Sequence, residues 1–493
     1  MIRWRSLLAA GLALVAGTAD SAKATEAEVV ACPFEVPPGV EATCHRVTRP
    51  LGSGASAALD VALFVLVIEG AAGGNEAPLV YLDGGPGGNA FLGVDDVGVW
   101  WQALEDYPFL GRRDLVILAQ RGSPPSRPSI DCPPFKAAVE VLLAEGLAAR
   151  GGARDTRLDA IAGCAAALRD QGVPLGAFTT DQRAADMPAV LRALGYRSWH
   201  LWGVSYGTYL ALTVLRDDPE GIRSIVLDSV MTPDVPDDLV DDEDDRWRRR
   251  LFALCAADPS CAARYPDLPA MFERVVAALD REPLTWTEDP DDVAAPTLVM
   301  DGRAVAEAIE VLTYDAAASR AVPAALADAE AGDFDRLAGI VGALVWYERE
   351  DGMASLALDA RWCGEVRGFV DPAGARVSDI HDLKHDRVPD GEAWCASLGV
   401  ASLGAAARAP AVSDVPVLLL VGEEDLVTPP AWAEAAAHHL SQATLIRFPG
   451  YGHAVTFATP CALEVVAAFL DDPVTAAASP CLGDLATPPF EMP

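Results

Sequence analysis

The chain has 493 residues, 51% of them hydrophobic and 22% charged, and a net charge of −35 at pH 7. That length and balance exclude a disordered chain and describe one large domain with an insertion, or two domains. So acidic a surface excludes broad binding to nucleic acid or anionic lipid, and it suits a cationic substrate end.

In chain order, Arg3 and Arg5 make a basic start. Leu7 to Val15 is an apolar run too short to span a bilayer, and Ala22-Lys23-Ala24 is a small-x-small cleavage site. Residues 1–24 therefore read as a signal peptide, with an exported chain starting at Thr25 and no stable membrane anchor. Val29-Val30-Ala31-Cys32 is a poor lipoprotein box, because Glu26 and Glu28 stand between it and the apolar run. Ten cysteines behind such a leader argue for disulfides. Pairing sequential neighbours gives Cys32–Cys44, Cys132–Cys164, Cys255–Cys261, Cys363–Cys395 and Cys461–Cys481, although spacing alone does not fix the connectivity. With no C-x-x-C and no Cys/His cluster, neither a metal nor a cofactor is expected.

Residues 25–60 read as irregular. Val61–Ile68, Leu79–Leu82 and Asp114–Leu118 read as strands, the first ended by Gly70 and a turn at Gly73-Gly74-Asn75. Residues 156–170 and 181–195 have helical periodicity, with Asp181 as N-cap and Gly195 as stop. Ser198–Trp202 is a buried strand, Thr208–Leu215 a helix, and Ser224–Asp228 another strand. At Thr232-Pro233 the pattern changes. An acidic run from Asp234 to Asp245 follows, then Ala-rich helical segments to about Pro410 with no core strand. Strands resume at Val415–Val421 and Thr444–Phe448, and Ala462–Leu470 closes the chain as a helix. Alternating strands and helices imply a mostly parallel, doubly wound α/β sheet. The expected division is a first core part over 25–232, an inserted helical cap over 233–410 and a second core part over 411–493. The cap would lie above the strand C-termini, where open α/β sheets bind ligands.

The chemistry centres on Gly203-Val204-Ser205-Tyr206-Gly207, a G-x-S-x-G between strand and helix, the context of a nucleophile elbow. A serine hydroxyl needs a base to take its proton. Of the seven histidines, His453 alone among those past the elbow stands in a glycine-rich loop between a strand and a helix. His438 and His439 read as helix surface, and His381 and His385 lie in the cap. The orienting acid belongs after strand 415–421, giving the order Ser…Asp…His of an α/β-hydrolase. Asp425 is the candidate and Glu424 its competitor. Oxyanion donors would be the Tyr206 N–H at the helix start and Gly85 in the Asp83-Gly84-Gly85-Pro86-Gly87 loop.

These motifs, with Gln120-Arg121-Gly122, Thr428-Pro429 and Gly452-His453, resemble the prolyl iminopeptidase and tripeptidyl aminopeptidase group of secreted α/β-hydrolase serine peptidases. Two positions depart from the group. Asp83 stands where prolyl iminopeptidases carry a histidine, and Ala119 where an aspartate would pair with Arg121. The resemblance implies cleavage of short peptides from a free N-terminus, and the Cys363-Gly364-Glu365 pattern assigns Glu365 to the substrate ammonium. A carboxylesterase on the same scaffold is the alternative, since the triad does not separate amide from ester. A silent binding protein would lack one of the three residues. Ser205 excludes hydrolases that use a carboxylate nucleophile.

Overall fold

The structure is a computed structural model that describes residues 26–52, 59–71, 76–146, 153–235, 243–287, 297–312, 314–349, 353–367, 391–474 and 480–491. The expected signal peptide, the turn at 73–75, part of the acidic run, His381 and His385 lie outside the described residues.

A nine-stranded sheet organises the molecule. Its strands are β1 (Ala27–Val30), β2 (Ala42–Pro50), β3 (Asp60–Ile68), β4 (Leu79–Leu82), β5 (Leu115–Leu118), β6 (Trp199–Val204), β7 (Ile222–Asp228) and, after an insertion that carries β8 (Leu284–Thr287) and β9 (Thr297–Met300), β10 (Val417–Gly422) and β11 (Ala443–Phe448). The spatial order is β1-β2-β3-β5-β4-β6-β7-β10-β11. From β5 to β11 all pairings are parallel, whereas β1, β2 and β3 run as an antiparallel ribbon on the β5 edge. Strands β6 and β10 are buried along their whole length, as parallel strands covered on both faces must be. Alternate residues feed two cores: Val80 and Leu82 point to one, Leu79 and Tyr81 to the other.

Helices cover both faces. They include α1 (Gly98–Asp106), α2 (Pro133–Glu145), α3 (Ala153–Asp170), α4 (Thr180–Ala193) and α5 (Tyr206–Asp217). Thr179, not Asp181, occupies the N-cap position of α4, and Asp181 falls in its first turn. The region expected to be irregular instead carries β1 and β2, and β2 pairs with β3 along all nine of its residues. The described residues between 243 and 398 are mainly helical, with one addition to the expectation. Leu284–Thr287 (β8) and Thr297–Met300 (β9) form a separate antiparallel pair.

All five expected disulfides are present. Cys461–Cys481 holds the C-terminal tail, and Cys363–Cys395 ties the segment around Glu365 to helix Gly391–Leu398. Among the described residues no helix is long and apolar enough to cross a membrane, and no group of His, Cys, Asp and Glu could hold a metal ion.

Candidate active site

Ser205, Asp425 and His453 each follow the C-terminal end of a parallel strand. Ser205 follows β6 at φ 55°, ψ −126°, a backbone region that L-residues avoid and that costs of order 1–3 kcal/mol. The surroundings over-determine it. A Cβ at Gly207 would lie 1.9 Å from the Leu82 carbonyl oxygen, and one at Gly203 would lie 2.4 Å from the Gly207 oxygen. Strand β6 and helix α5 can therefore meet at so sharp an angle only with glycine at both places. The Ser205 N–H donates to the Asp228 carbonyl at 2.9 Å, which ties the elbow to β7. Tyr206 opens α5, so its N–H has no carbonyl within the helix to bond.

The glycine loop after β4 borders the elbow. A Cβ at Gly84 would stand 3.2 Å from Ser205 Cβ and 3.7 Å from its Oγ, so the Gly84–Gly85 peptide lies beside the nucleophile. Gly85 has φ +105° and remains exposed. Asp83, the departure from the resembled pattern, accepts the Tyr81 hydroxyl at 3.0 Å and the Ala90 N–H at 2.8 Å. It thus fastens the start of the loop to its end. The second departure is also explained. Arg121 pairs in bidentate fashion with Asp186 of α4, at 2.7 and 2.6 Å, and donates to the Leu51 and Ala177 carbonyls. Asp186 supplies the charge that Ala119 lacks.

After β10, Asp425 and Glu424 separate cleanly. Asp425 is 1% exposed, and its Oδ2 lies 3.0 Å from Nδ1 of His453. It also accepts the N–H groups of Val427 and Thr428 and the Thr428 hydroxyl. An ionised carboxylate only accepts, so Nδ1 carries the imidazole proton and Nε2 is left as the ring's acceptor. Glu424 turns the other way and pairs with Arg320 at 2.6 and 2.8 Å. Burial alone would push Asp425 up, but His453 and the Thr428 donors outweigh it and hold the carboxyl below its ordinary range. Burial likewise depresses His453, yet the charge and hydrogen bond of Asp425, with Asp228 behind it, hold the imidazole above its ordinary 6.5.

Residues from the helical block reach both halves of the site. The His453 N–H donates to the Tyr314 carbonyl at 3.0 Å, and the Tyr314 ring stands edge-on to the imidazole at 5.2 Å. The Ala354 N–H donates to the Gly87 carbonyl at 2.9 Å. Sequence reasoning did not single out Tyr314 or Ala354, because each contact joins segments more than a hundred residues apart.

Glu365 has a different setting from the one expected. It is 1% exposed, and its two oxygens accept the Thr180 N–H at 2.6 Å and the Thr180 hydroxyl at 2.8 Å. Arg361 lies 3.8 Å away. The Thr180 oxygen is 2.8 Å from the Tyr206 hydroxyl, which Arg183 also approaches at 3.2 Å. The carboxylate thus ends a buried chain behind Tyr206, with one donor from Thr180 on each of its oxygens. His439 is no isolated surface residue either: it lies past the end of helix Pro430–Ala437, with Nε2 3.0 Å from Asp234.

Residues 77–265 match the family described as alpha/beta hydrolase fold, and residues 384–481 match that described as TAP-like protein. A tripeptidyl aminopeptidase of Streptomyces lividans is 30% identical over 166 residues, which are 32% of this chain and 29% of that protein. The match therefore spans under a third of the relative's length. Among solved structures, proline iminopeptidase from Mycobacterium smegmatis is 18% identical, with a TM-score of 0.41, covering 88% of this chain and 100% of that one. A thermophilic esterase from Thermogutta terrifontis is 14% identical, with a TM-score of 0.37, covering 87% of this chain and 99% of that one. The two family matches, each running into one end of the helical block, take in the strands that lead to Ser205 and His453: the chain is a member of the α/β hydrolases, with a C-terminal part of the TAP-like kind.

Proposed function

We propose that this hydrolase is an exported serine aminopeptidase that releases N-terminal residues or short peptides through Ser205, His453 and Asp425. The observation that carries the reading is the His453–Asp425 pair in the loops after β10 and β11, in a chain whose C-terminal part is TAP-like. Ser205 Oγ attacks the scissile carbonyl carbon as Nε2 of His453 takes its proton. The oxyanion accepts the N–H groups of Tyr206 and Gly85. Collapse expels the amine, which leaves with the proton from His453, and water then hydrolyses the acyl-enzyme by the same route.

The block over 233–410 serves as the cap. Tyr314 against His453 and Ala354 against Gly87 support that placement. No metal or cofactor enters the scheme. Five disulfides suit an oxidising compartment, in keeping with export of the chain after removal of residues 1–24.

A raised His453 has a kinetic signature. Only the neutral ring accepts the serine proton, so kcat/KM should fall on the acid side with a midpoint above 6.5. A profile measured between about pH 5 and 9 checks this, and a midpoint below the ordinary histidine value contradicts it.

The free-amine requirement is tested by acetylating the N-terminus of a good tripeptidyl chromogenic amide. Leaving a buried acid without its ammonium costs about 3–5 kcal/mol. Blocking should therefore lower kcat/KM by roughly a hundredfold or more. Equal cleavage of free and blocked peptides would remove the aminopeptidase reading and leave the carboxylesterase on the same triad. Thr180 uses one acceptor site on each Glu365 oxygen and leaves others, so Glu365→Gln should shrink the difference between free and blocked peptides, and an unchanged ratio would assign the amine to another carboxylate of the block.

A further inference from the structure

Asp228, the last residue of β7, and Ser229 after it make more contacts than the elbow tie described above. Asp228 is fully buried, and it engages two loops at once. Its carbonyl accepts the Ser205 N–H at 2.9 Å. Its carboxylate accepts the Val455 N–H at 3.0 Å, the Thr456 N–H at 2.8 Å and the Thr456 hydroxyl at 2.6 Å. Those donors stand two and three residues past His453. Ser229 completes the set. Its hydroxyl accepts the Ala454 N–H at 2.7 Å, and its own N–H donates to the Leu420 carbonyl of β10 at 3.0 Å. Ser229 and Ala454 both have φ 59°, a left-handed conformation that neither side chain favours. The hydrogen bond between these two residues is what the surroundings supply to hold them there.

We propose that Asp228 and Ser229 are positioning residues that lock the His453 loop to the nucleophile elbow. The inference rests on the serine hydrolase reading of the site. A carboxylate is the right group for this place. It can accept three donors at once, whereas an amide would turn an NH2 toward one of them. Its charge also acts on the imidazole. Around His453 stand Asp425, the Thr428 hydroxyl, the Tyr314 ring and Asp228; around Asp228 stand His453, Tyr81 and Tyr107. Asp425 holds the proton-bearing nitrogen, and Asp228 holds the backbone that aims the ring.

The test compares wild type, Asp228→Asn and Ser229→Ala by kcat and KM on one substrate, by thermal melting, and by NMR titration of His453. Asp228→Asn should lower kcat on the order of a hundredfold, the effect of a small displacement of a catalytic group, with KM within about threefold. Its His453 midpoint should fall below that of the wild type, because a negative charge has been removed; a purely structural role would leave the midpoint in place. Ser229→Ala should lower kcat by about tenfold and leave the midpoint unchanged, since it removes the Ala454 hydrogen bond and a longer one at 3.4 Å to the Asp228 carboxylate, but no charge. If Asp228→Asn keeps both the wild-type kcat and the wild-type midpoint, the proposal is overturned. If Asp228→Asn does not fold, Ser229→Ala decides, and kcat within about twofold of wild type overturns it. Failure of the underlying reading looks different. His453→Ala would then turn over substrate as fast as wild type, while the His453 midpoint in Asp228→Asn would still report on the brace.

Discussion

Ser205→Ala should abolish turnover, with kcat reduced by about a million-fold, and leave the fold intact. The size follows from the chemistry. Without Oγ there is no acyl-enzyme, and only substrate binding and the oxyanion donors act on the bond, which is worth roughly a thousandfold over water. His453→Ala should cost about as much, because the serine then keeps its proton, and the double variant should be no slower than either single one. The fold should survive because Gly203, Gly207 and the Asp228 carbonyl shape the turn, not the serine hydroxyl. Measurements of kcat for the single and double variants, with a thermal melt of each, check both halves. Additive losses would mean that the residues do not act as one unit.

The second large effect distinguishes neighbours. Asp425→Asn should lower kcat by about ten-thousandfold at neutral pH. An amide NH2 facing Nδ1 drives the imidazole proton to Nε2, where it points at the nucleophile and cannot take a proton from it. The Val427 and Thr428 N–H groups still find the amide oxygen, so stability should fall little. Glu424→Gln should do the reverse. It breaks the Arg320 pair, 3% and 7% exposed, and leaves a buried guanidinium with a neutral partner. A loss of about 3–5 kcal/mol in unfolding free energy is expected, with near wild-type chemistry at temperatures where the protein stays folded. Urea unfolding and steady-state rates on the two variants separate these outcomes. A Glu424→Gln enzyme as slow as Asp425→Asn would reverse the assignment.

The sequence was most legible where one residue type has a local reason to stand. Glycine at 203 and 207 is a steric necessity of the turn, so the elbow shows in the letters alone. Strands buried on both faces are mostly apolar: β10 is an unbroken apolar run, and β6 is interrupted only by His200. β2 was not legible, because Ala42–Pro50 is half-buried and carries His45, Arg46 and Arg49 among its apolar residues. It is a strand because β3 lies beside it along its whole length. The separate β8–β9 pair was hidden by its short strands and the stretch between them. The site divides in the same way. The strand-end positions of Ser205, Asp425 and His453 follow from local pattern, and so did the five bridges from neighbouring cysteines. The setting of Glu365 was not legible, because it depends on Thr180, 185 residues away. Asp186 for Arg121, Tyr314 beside His453 and Asp228 beneath Thr456 are likewise pairings across the fold, and no local periodicity records them.

The most direct measurement is mass mapping of the native protein after reaction with a fluorophosphonate at neutral pH. Such a reagent phosphonylates an activated serine, one whose proton has a base to go to, as fluoride leaves. One adduct per chain on the peptide that contains Ser205, lost in Ser205→Ala and strongly slowed in His453→Ala, is the predicted result. An adduct at another serine, or labelling of Ser205 that is indifferent to the loss of His453, would contradict it.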